Sequence, residues 1–316
     1  MSKILQGKEL AEEVLFSLRE KIVKAEKSGN EHMPGLAAVM VGEDEASKLY
    51  VRNKKKACHK IGISFHDYRL EENSNEEAIL ETINFLNNDL AVHGIIVQLP
   101  LPKGFNTEKI IKSISPKKDV DGFHPANIEK FTNFLHGDIK DAGQIMPPPV
   151  IKAVISLLEK VEELVMGKKA FIISKNEIFA EPLLETVKLK KIDAEIIAPD
   201  KVGRSPALRL SPPARAGGVR DPSAHPDAGG KLKQADIIIT AVGVPNFLRG
   251  EMIKDEAIII DVGTTLVDGK LVGDADFKSC EKKVSYISPV PGGIGPLTVA
   301  YLLENTVRAW EIQNIG

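Results

Sequence analysis

Five short apolar runs constrain how this chain can fold: "GLAAVMVG" (35–42), "HGIIVQLP" (93–100), "KKAFIIS" (168–174), "ADIIITAVG" (235–243) and "EAIIIDVG" (256–263). Each is too short for a helix and lacks the apolar/polar alternation of a strand with one wet face. Runs of this kind are strands covered on both sides, as in mostly parallel sheets, and segments of helical length separate most of them. The alternation predicts an α/β protein.

The order of segments divides the chain in two. Leu10, Val14, Leu18 and Ile22 recur at helical spacing and predict an opening amphipathic helix that ends near "KSGN". A strand at 35–42 precedes a helix over "EASKLYVRNKKKACHKIGI". A strand "SFHDYRL", a helix "NEEAILETINFLNN" and a strand ended by Pro100 and Pro102 follow. This is βαβαβ, and right-handed crossovers make it an open parallel sheet. "VIKAVISLLEKV" predicts a helix linking two domains. From Gly167 the pattern restarts with strand "KKAFIIS", a helix to about Leu189, and strands "DAEIIA", "ADIIITAVG" and "EAIIIDVG", a second sheet of Rossmann type.

Composition narrows the function classes. A length of 316 residues suits two domains, and a formal net charge of −2 offers no global attraction to nucleic acid or anionic lipid. Cys58 and Cys280 are too few for a disulfide framework, the N-terminus lacks the apolar core of a signal peptide, and no run approaches the roughly 20 apolar residues of a membrane helix. A cytoplasmic protein with a small-molecule substrate is the expectation. One segment stands apart. Val202 to Gly230 holds five Pro, five Gly, five Ala and four of the nine Arg, with no Lys or Ile, and reads as a disordered or foreign insert.

Several residues could carry chemistry. Tyr50 and Lys54 lie four apart on one helical face, either as a ligand-facing pair or as a half-buried ring beside a solvated amine. Gln98 sits at the C-terminal end of a strand, where open α/β sheets bind ligands, although an amide there also caps a strand. Asp119 and Asp121 precede Gly122, a common turn arrangement. No Asp, His or Cys set has ligand spacing beyond chance, so no metal is expected. In "SPVPGGIGPLTVAYLLENTV" (288–307), Pro289, Pro291 and Pro296 stiffen a loop in which Gly292, Gly293 and Gly295 admit close backbone approach, just before an apolar helix.

Taken in order, "VGEDEASKLYVRNKKKACHKIGI", "GIIVQLPLP", "KDVDGFHPAN", "ADIIITAVG", "IIIDVGTTLVDGKLVGDADF" and "PVPGGIGPLTVAYLLENTV" resemble the signature blocks of the bifunctional methylenetetrahydrofolate dehydrogenase/methenyltetrahydrofolate cyclohydrolase family, FolD. The blocks span nearly the whole chain. The resemblance implies a folate-binding catalytic domain of residues 1–146 plus 296–316, to which the C-terminal helix returns, and a Rossmann-type nucleotide-binding domain of residues 147–295. It implies oxidation of 5,10-methylenetetrahydrofolate with NADP, then hydrolysis of the methenyl cation to 10-formyltetrahydrofolate, a supply of one-carbon units for purine biosynthesis. Lys54 would be the acid/base group, Tyr50 would stack on the substrate, Gln98 would hydrogen-bond Lys54, and Asp121 would hold the pterin. Val97, Leu99, Pro291, Gly292 and Gly293 would complete the substrate site. Ser174, Lys175, Asn176, Gly243, Gly263, Thr264, Gly295 and Thr298 would meet the cofactor. The family's usual state, a homodimer, is carried over in the same way.

The chain departs from the pattern twice. Where the family reads "GRS" and then "VGKP", this chain reads Ser174, Lys175, Asn176 and then "FAEP", with Glu181 in place of a lysine and Lys175 lacking the fork of an arginine. Asp200 after the next strand suits a ribose hydroxyl, so NAD stands beside NADP as the expected cofactor. "MPPPV" (146–150) replaces the family's "PCTP". The second departure loses a threonine hydroxyl and tunes the substrate site; with Tyr50, Lys54, Gln98 and Asp121 all present and the cofactor loop altered, the cyclohydrolase step is better supported than the dehydrogenase step. The alternative is a noncatalytic folate-binding or partner-binding relative with a decayed cofactor site.

Overall fold

The structure, a computed structural model, describes residues 3–30, 33–139, 143, 145–202 and 228–314. The unusual insert between Val202 and Gly230 therefore lies, from residue 203 to 227, outside the described residues. Two compact units divide the chain: Lys8–Ala153 with Pro296–Gly316, built on a three-stranded sheet, and Met1–Gly7 with Val154–Gly295, built on a six-stranded sheet.

The chain opens with β1 (Lys3–Ile4), which belongs to the larger sheet. The three-stranded unit starts with α1 (Lys8–Lys27), followed by β2 (Gly35–Val41), α2 (Glu45–Ile61), β3 (Ser64–Leu70), α3 (Glu76–Asn88) and β4 (Gly94–Val97). The strands are parallel in the order β3-β2-β4, with Leu36 opposite Gly94 and Phe65. All seven residues of β2 are buried, as its unbroken apolar run requires of a central strand. On one side, Leu18 and Ile22 of α1 pack with Leu36, Met40 and Cys58. On the other, Ile79, Ile83 and Leu86 of α3 pack against Val39, Ile95 and Val97. Each such side chain, fully buried, contributes about 1.5–3 kcal/mol. α4 (Thr107–Ser113), α5 (Pro125–His136) and α6 (Pro149–Glu159) follow.

The six-stranded unit contains α7 (Glu162–Val165), β5 (Lys169–Ser174), α8 (Glu177–Leu189), β6 (Asp193–Ile197), α9 (Ala228–Leu232), β7 (Ile237–Ala241) and β8 (Ile258–Asp261). A hairpin, β9 (Thr265–Val267) and β10 (Lys270–Val272), precedes α10 (Phe277–Cys280) and β11 (Tyr286–Ile287). The sheet runs β1-β11-β8-β7-β5-β6, with every pairing parallel. β7, β5 and β8 are central and apolar, so their C-terminal ends emerge together on one edge, the place where doubly wound sheets take ligands. The chain closes with α11 (Ile294–Asn314). Leu302, Leu303, Val307 and Trp310 of this helix enter the core of the three-stranded unit beside Leu36 and Val120, so the C-terminal helix returns to the unit in which the chain's first helix lies.

The two-domain parallel α/β fold matches the expectation from sequence. Several elements lie outside the predicted pattern. β1 and β11 extend the larger sheet, α5 starts inside "PKKDVDGFHPAN" just after the expected turn at Asp119 to Gly122, and the β9–β10 hairpin lies within "IIIDVGTTLVDGKLVGDADF".

Candidate active site

In the three-stranded unit, α2 is started by Asp44, whose carboxylate accepts the Ser47 N–H at 2.8 Å. From there Tyr50, Lys54 and Cys58 follow one another at four-residue steps, so they share a face. Cys58 is fully buried, while Tyr50 and Lys54 are half-buried. The Lys54 ammonium donates to Gln98 Oε1 at 3.0 Å. Gln98 is itself fixed: its N–H extends the sheet by donating to Val39 O at 2.8 Å, and its side-chain amide donates to Leu99 O at 2.7 Å. Gln98 is 7% exposed. Of its neighbours, Val97 packs into the core and Leu99 is 40% exposed.

Asp121 comes from the loop that runs beside β4. Ile95 and Asp119 form a bridge there, and the buried Asp119 carboxylate accepts the N–H groups of Gly122 (3.2 Å) and His124 (2.9 Å) and the Asn127 side chain (2.9 Å). On the other side, the Asn305 amide donates to Val120 O and Pro147 O, each at 2.9 Å. The backbone around Asp121 is thus pinned from both directions. Asp119, read as a turn former, is a buried hub.

Electrostatics follow from this packing. Lys54 and Asp121 keep part of their surface in solvent, yet burial of their charged ends dominates. It lowers the Lys54 pKa from the usual lysine range, against the pull of Asp121 and Cys58 in the other direction. It raises the Asp121 pKa, with the Lys54 charge opposing. Burial also pushes the Cys58 thiol up to about 12, so Cys58 stays protonated and unreactive. The arrangement can hold a proton at one amine and release it more readily than an exposed lysine would.

In the six-stranded unit, Ser174 ends β5. It is buried, and its hydroxyl accepts the Asn176 N–H at 3.0 Å. Asn176 caps α8 by accepting the Phe179 N–H at 3.4 Å, and Lys175 beside it is exposed. After β7, Gly243 adopts φ +71°, a conformation that favours glycine, and nothing lies within 4 Å of where a side chain would start. After β8, Gly263 is required for a different reason. A Cβ there would lie 2.1 Å from the Asp274 carboxyl carbon. Thr264 and Thr298 are half-buried, Gly295 is exposed in the first turn of α11, and Pro291 is exposed. The Gly292 carbonyl accepts the Gly7 N–H at 3.0 Å, and the Gly293 N–H donates to Pro289 O at 2.8 Å. Open space at Gly243, the exposed Lys175 cation and the convergent strand ends fit a nucleotide.

The structure therefore brings Lys54, Gln98 and Asp121 together, places Tyr50 one helical turn from Lys54, and sets Gly243 and Gly263 on neighbouring strand ends. Asp119, Asp261, Asp274 and Asn305 were not singled out as site residues. Acids inside otherwise apolar, glycine-flanked stretches such as "LVGDADF" were the available signal. Among the described residues, no group of three or more His, Cys, Asp or Glu is placed to hold a metal ion, and no helix is long and apolar enough to cross a membrane.

Comparison with known proteins gives the same result along the whole chain. Residues 5–121 match the family model of the tetrahydrofolate dehydrogenase/cyclohydrolase catalytic domain, and residues 217–314 match that of its NAD(P)-binding domain. The chain is 37% identical over 316 residues, covering 100% of both sequences, to the bifunctional protein FolD of Halothermothrix orenii. It is 39% identical over 308 residues, 97% of each, to that of Campylobacter concisus. Among solved structures, it superposes with a TM-score of 0.80 at 35% identity on the bifunctional FolD enzyme of Campylobacter jejuni, covering 99% of this chain and 100% of that one. The Trypanosoma brucei dehydrogenase-cyclohydrolase, solved with NADP and an inhibitor, gives 0.83 at 28% identity, covering 100% and 99%.

Proposed function

The chain belongs to the tetrahydrofolate dehydrogenase/cyclohydrolase family, and from that membership we propose that it catalyses NADP-dependent oxidation of 5,10-methylenetetrahydrofolate to the methenyl form and hydrolysis of that form to 10-formyltetrahydrofolate. Folate chemistry belongs to the three-stranded unit and nucleotide binding to the six-stranded unit.

The observation that carries the reading is the Lys54 amine, held 3.0 Å from Gln98 with a lowered pKa. Hydrolysis of a methenyl cation needs a group that takes a proton from the attacking water and returns one to the ring nitrogen as the carbon–nitrogen bond breaks. A lysine whose pKa is lowered by burial gives up its proton more readily than an exposed one and so can do both. Gln98 orients the amine, Asp121 balances its charged form and holds the pterin, and Tyr50 stacks on the substrate. Val97, Leu99, Pro291, Gly292 and Gly293 complete the substrate set.

For the oxidation, Ser174, Lys175, Asn176, Gly243, Gly263, Thr264, Gly295 and Thr298 would hold NADP, which supplies the hydride acceptor. Lys175 offers a positive charge for phosphate, and Gly243 lets the backbone approach closely. Cytoplasmic location, assembly as a homodimer and a role in purine biosynthesis are part of the proposal, resting on family membership. A noncatalytic folate-binding relative is not favoured, because a decayed site would have no use for a desolvated amine with two dedicated partners.

The test is direct. Purified protein is mixed with methenyltetrahydrofolate to follow loss of its absorbance, and separately with methylenetetrahydrofolate plus NADP. Turnover in both assays is expected, and absence of both defeats the reading.

A further inference from the structure

Two buried carboxylates in the six-stranded unit take no part in the chemistry above, yet they organise the backbone at its nucleotide end. Asp274, fully buried after β10, accepts the N–H groups of Val242 (2.6 Å) and Val244 (2.9 Å), one on either side of Gly243, and the Thr240 hydroxyl (3.2 Å). Asp261, at the end of β8, accepts the N–H groups of Gly263 (2.9 Å), Asp274 (3.1 Å) and Ala275 (2.8 Å), while its own N–H donates to Ser288 Oγ at 2.7 Å. The two acids are interlocked. A Cβ on Gly263 would strike the Asp274 carboxylate, and one on Gly273 would lie 2.1 Å from Asp261 Oδ2.

A buried carboxylate is costly unless its oxygens are filled by donors. Here the donors are the Thr240 hydroxyl and backbone amides that follow the adjacent parallel strands β7 and β8 and the hairpin strand β10. An amide or hydroxyl at position 274 could not accept from Val242 and Val244 through two separate oxygens.

We propose that Asp274, braced by Asp261, is a positioning residue for the nucleotide: it fixes the Thr240–Val244 turn, with Gly243 at positive φ, and the Gly263–Thr264 backbone in the shape that receives NADP. The inference rests on the reading that this unit binds NADP. It adds residues that touch no ligand and act through the backbone they hold.

The experiment compares full-length wild-type protein with Asp274→Asn. NADP affinity is measured by calorimetry without folate, amide hydrogen exchange is followed without cofactor, and methenyltetrahydrofolate hydrolysis is assayed. Loss of one charge-assisted hydrogen bond to the loop predicts NADP binding weakened about tenfold. Faster exchange should be confined to 240–244 and 261–264, and hydrolysis should stay within about twofold of wild type. Wild-type NADP affinity in the folded variant overturns the proposal, as does a parallel fall in hydrolysis, which would mark a general structural role. Should Asp274→Asn fail to fold, Thr240→Val removes a single donor to the same carboxylate. About threefold weaker NADP binding supports the proposal, and unchanged binding overturns it. A wild-type protein that binds no NADP defeats the parent reading of this unit as well.

Discussion

Lys54 and Gln98, 44 residues apart, meet through a 3.0 Å hydrogen bond that ties the middle of a helix to the first residue beyond the edge strand β4. The helix supplies the amine and the strand end supplies a rigid acceptor, so neither can drift without the other. Removing the amine should therefore remove the proton carrier and leave the scaffold. Lys54→Met is expected to lower methenyltetrahydrofolate hydrolysis by at least about 100-fold with an unchanged circular dichroism spectrum. Retained turnover would take Lys54 out of the mechanism.

Gln98→Glu tests the acceptor with nearly the same shape. A carboxylate in hydrogen-bond contact with the amine favours its charged form and opposes the lowering that burial causes. The limb of the pH–rate profile for hydrolysis that reports Lys54 deprotonation should move to higher pH by about one unit or more. A limb that stays in place, or moves to lower pH, would show that another group sets it.

The Asp261 carboxyl, pushed up to about 7 mainly by burial and partly by the facing Asp274, makes the stability of its unit depend on pH. Its amide donors and the buried thiol of Cys280 are the other groups around it. The folded form holds a proton that the unfolded chain releases near the ordinary value of 3.8. Stability from this group is thus fully present below about pH 4 and is lost as pH rises through about 7, with a slope of up to about 1.4 kcal/mol per pH unit. Asp261→Asn should flatten the dependence of the denaturation midpoint on pH between 4 and 7. An identical slope in the variant would assign it to other groups.

Two glycines near the nucleotide end should respond oppositely to alanine. At Gly263 the added carbon would overlap the Asp274 carboxylate, and a loss of about 1–3 kcal/mol is expected in urea titration. At Gly295, in the first turn of α11, nothing lies within 4 Å, and the substitution should be neutral or stabilising by up to about 1 kcal/mol. Equal effects at the two positions would contradict the packing described.

Much of the fold was legible because continuous apolar runs and 3.6-residue periodicity survive in the sequence, as in β2 and α1. What escaped had other causes. β1 and β11 are two residues each, too short for any period, and gain their pairing from the sheet they join. The β9–β10 turn carries a readable Asp268-Gly269 pair, both at positive φ, and α5 begins with Pro125 in its first turn under a His124 cap. Both signals are present in the sequence, inside blocks whose glycines and acidic residues drew the reading instead. At the site, Lys54, Gln98 and Asp121 could be picked out by resemblance. The anchors Asp119 and Asn305 could not, since a buried acid or amide with satisfied partners looks, in sequence, like any polar residue.

Asn305 reaches from α11 to the carbonyls of Val120 and Pro147, and Trp310 of the same helix fills the core beside α1. A ribosome translating this chain lays down the three strands of that unit long before it reaches their closing helix. In the interval, the backbone around Asp121 lacks its last brace and an apolar surface stays uncovered. Emergence of α11 therefore sets the moment at which the backbone carrying Asp121, a member of the proposed acid–base centre, can first be fixed.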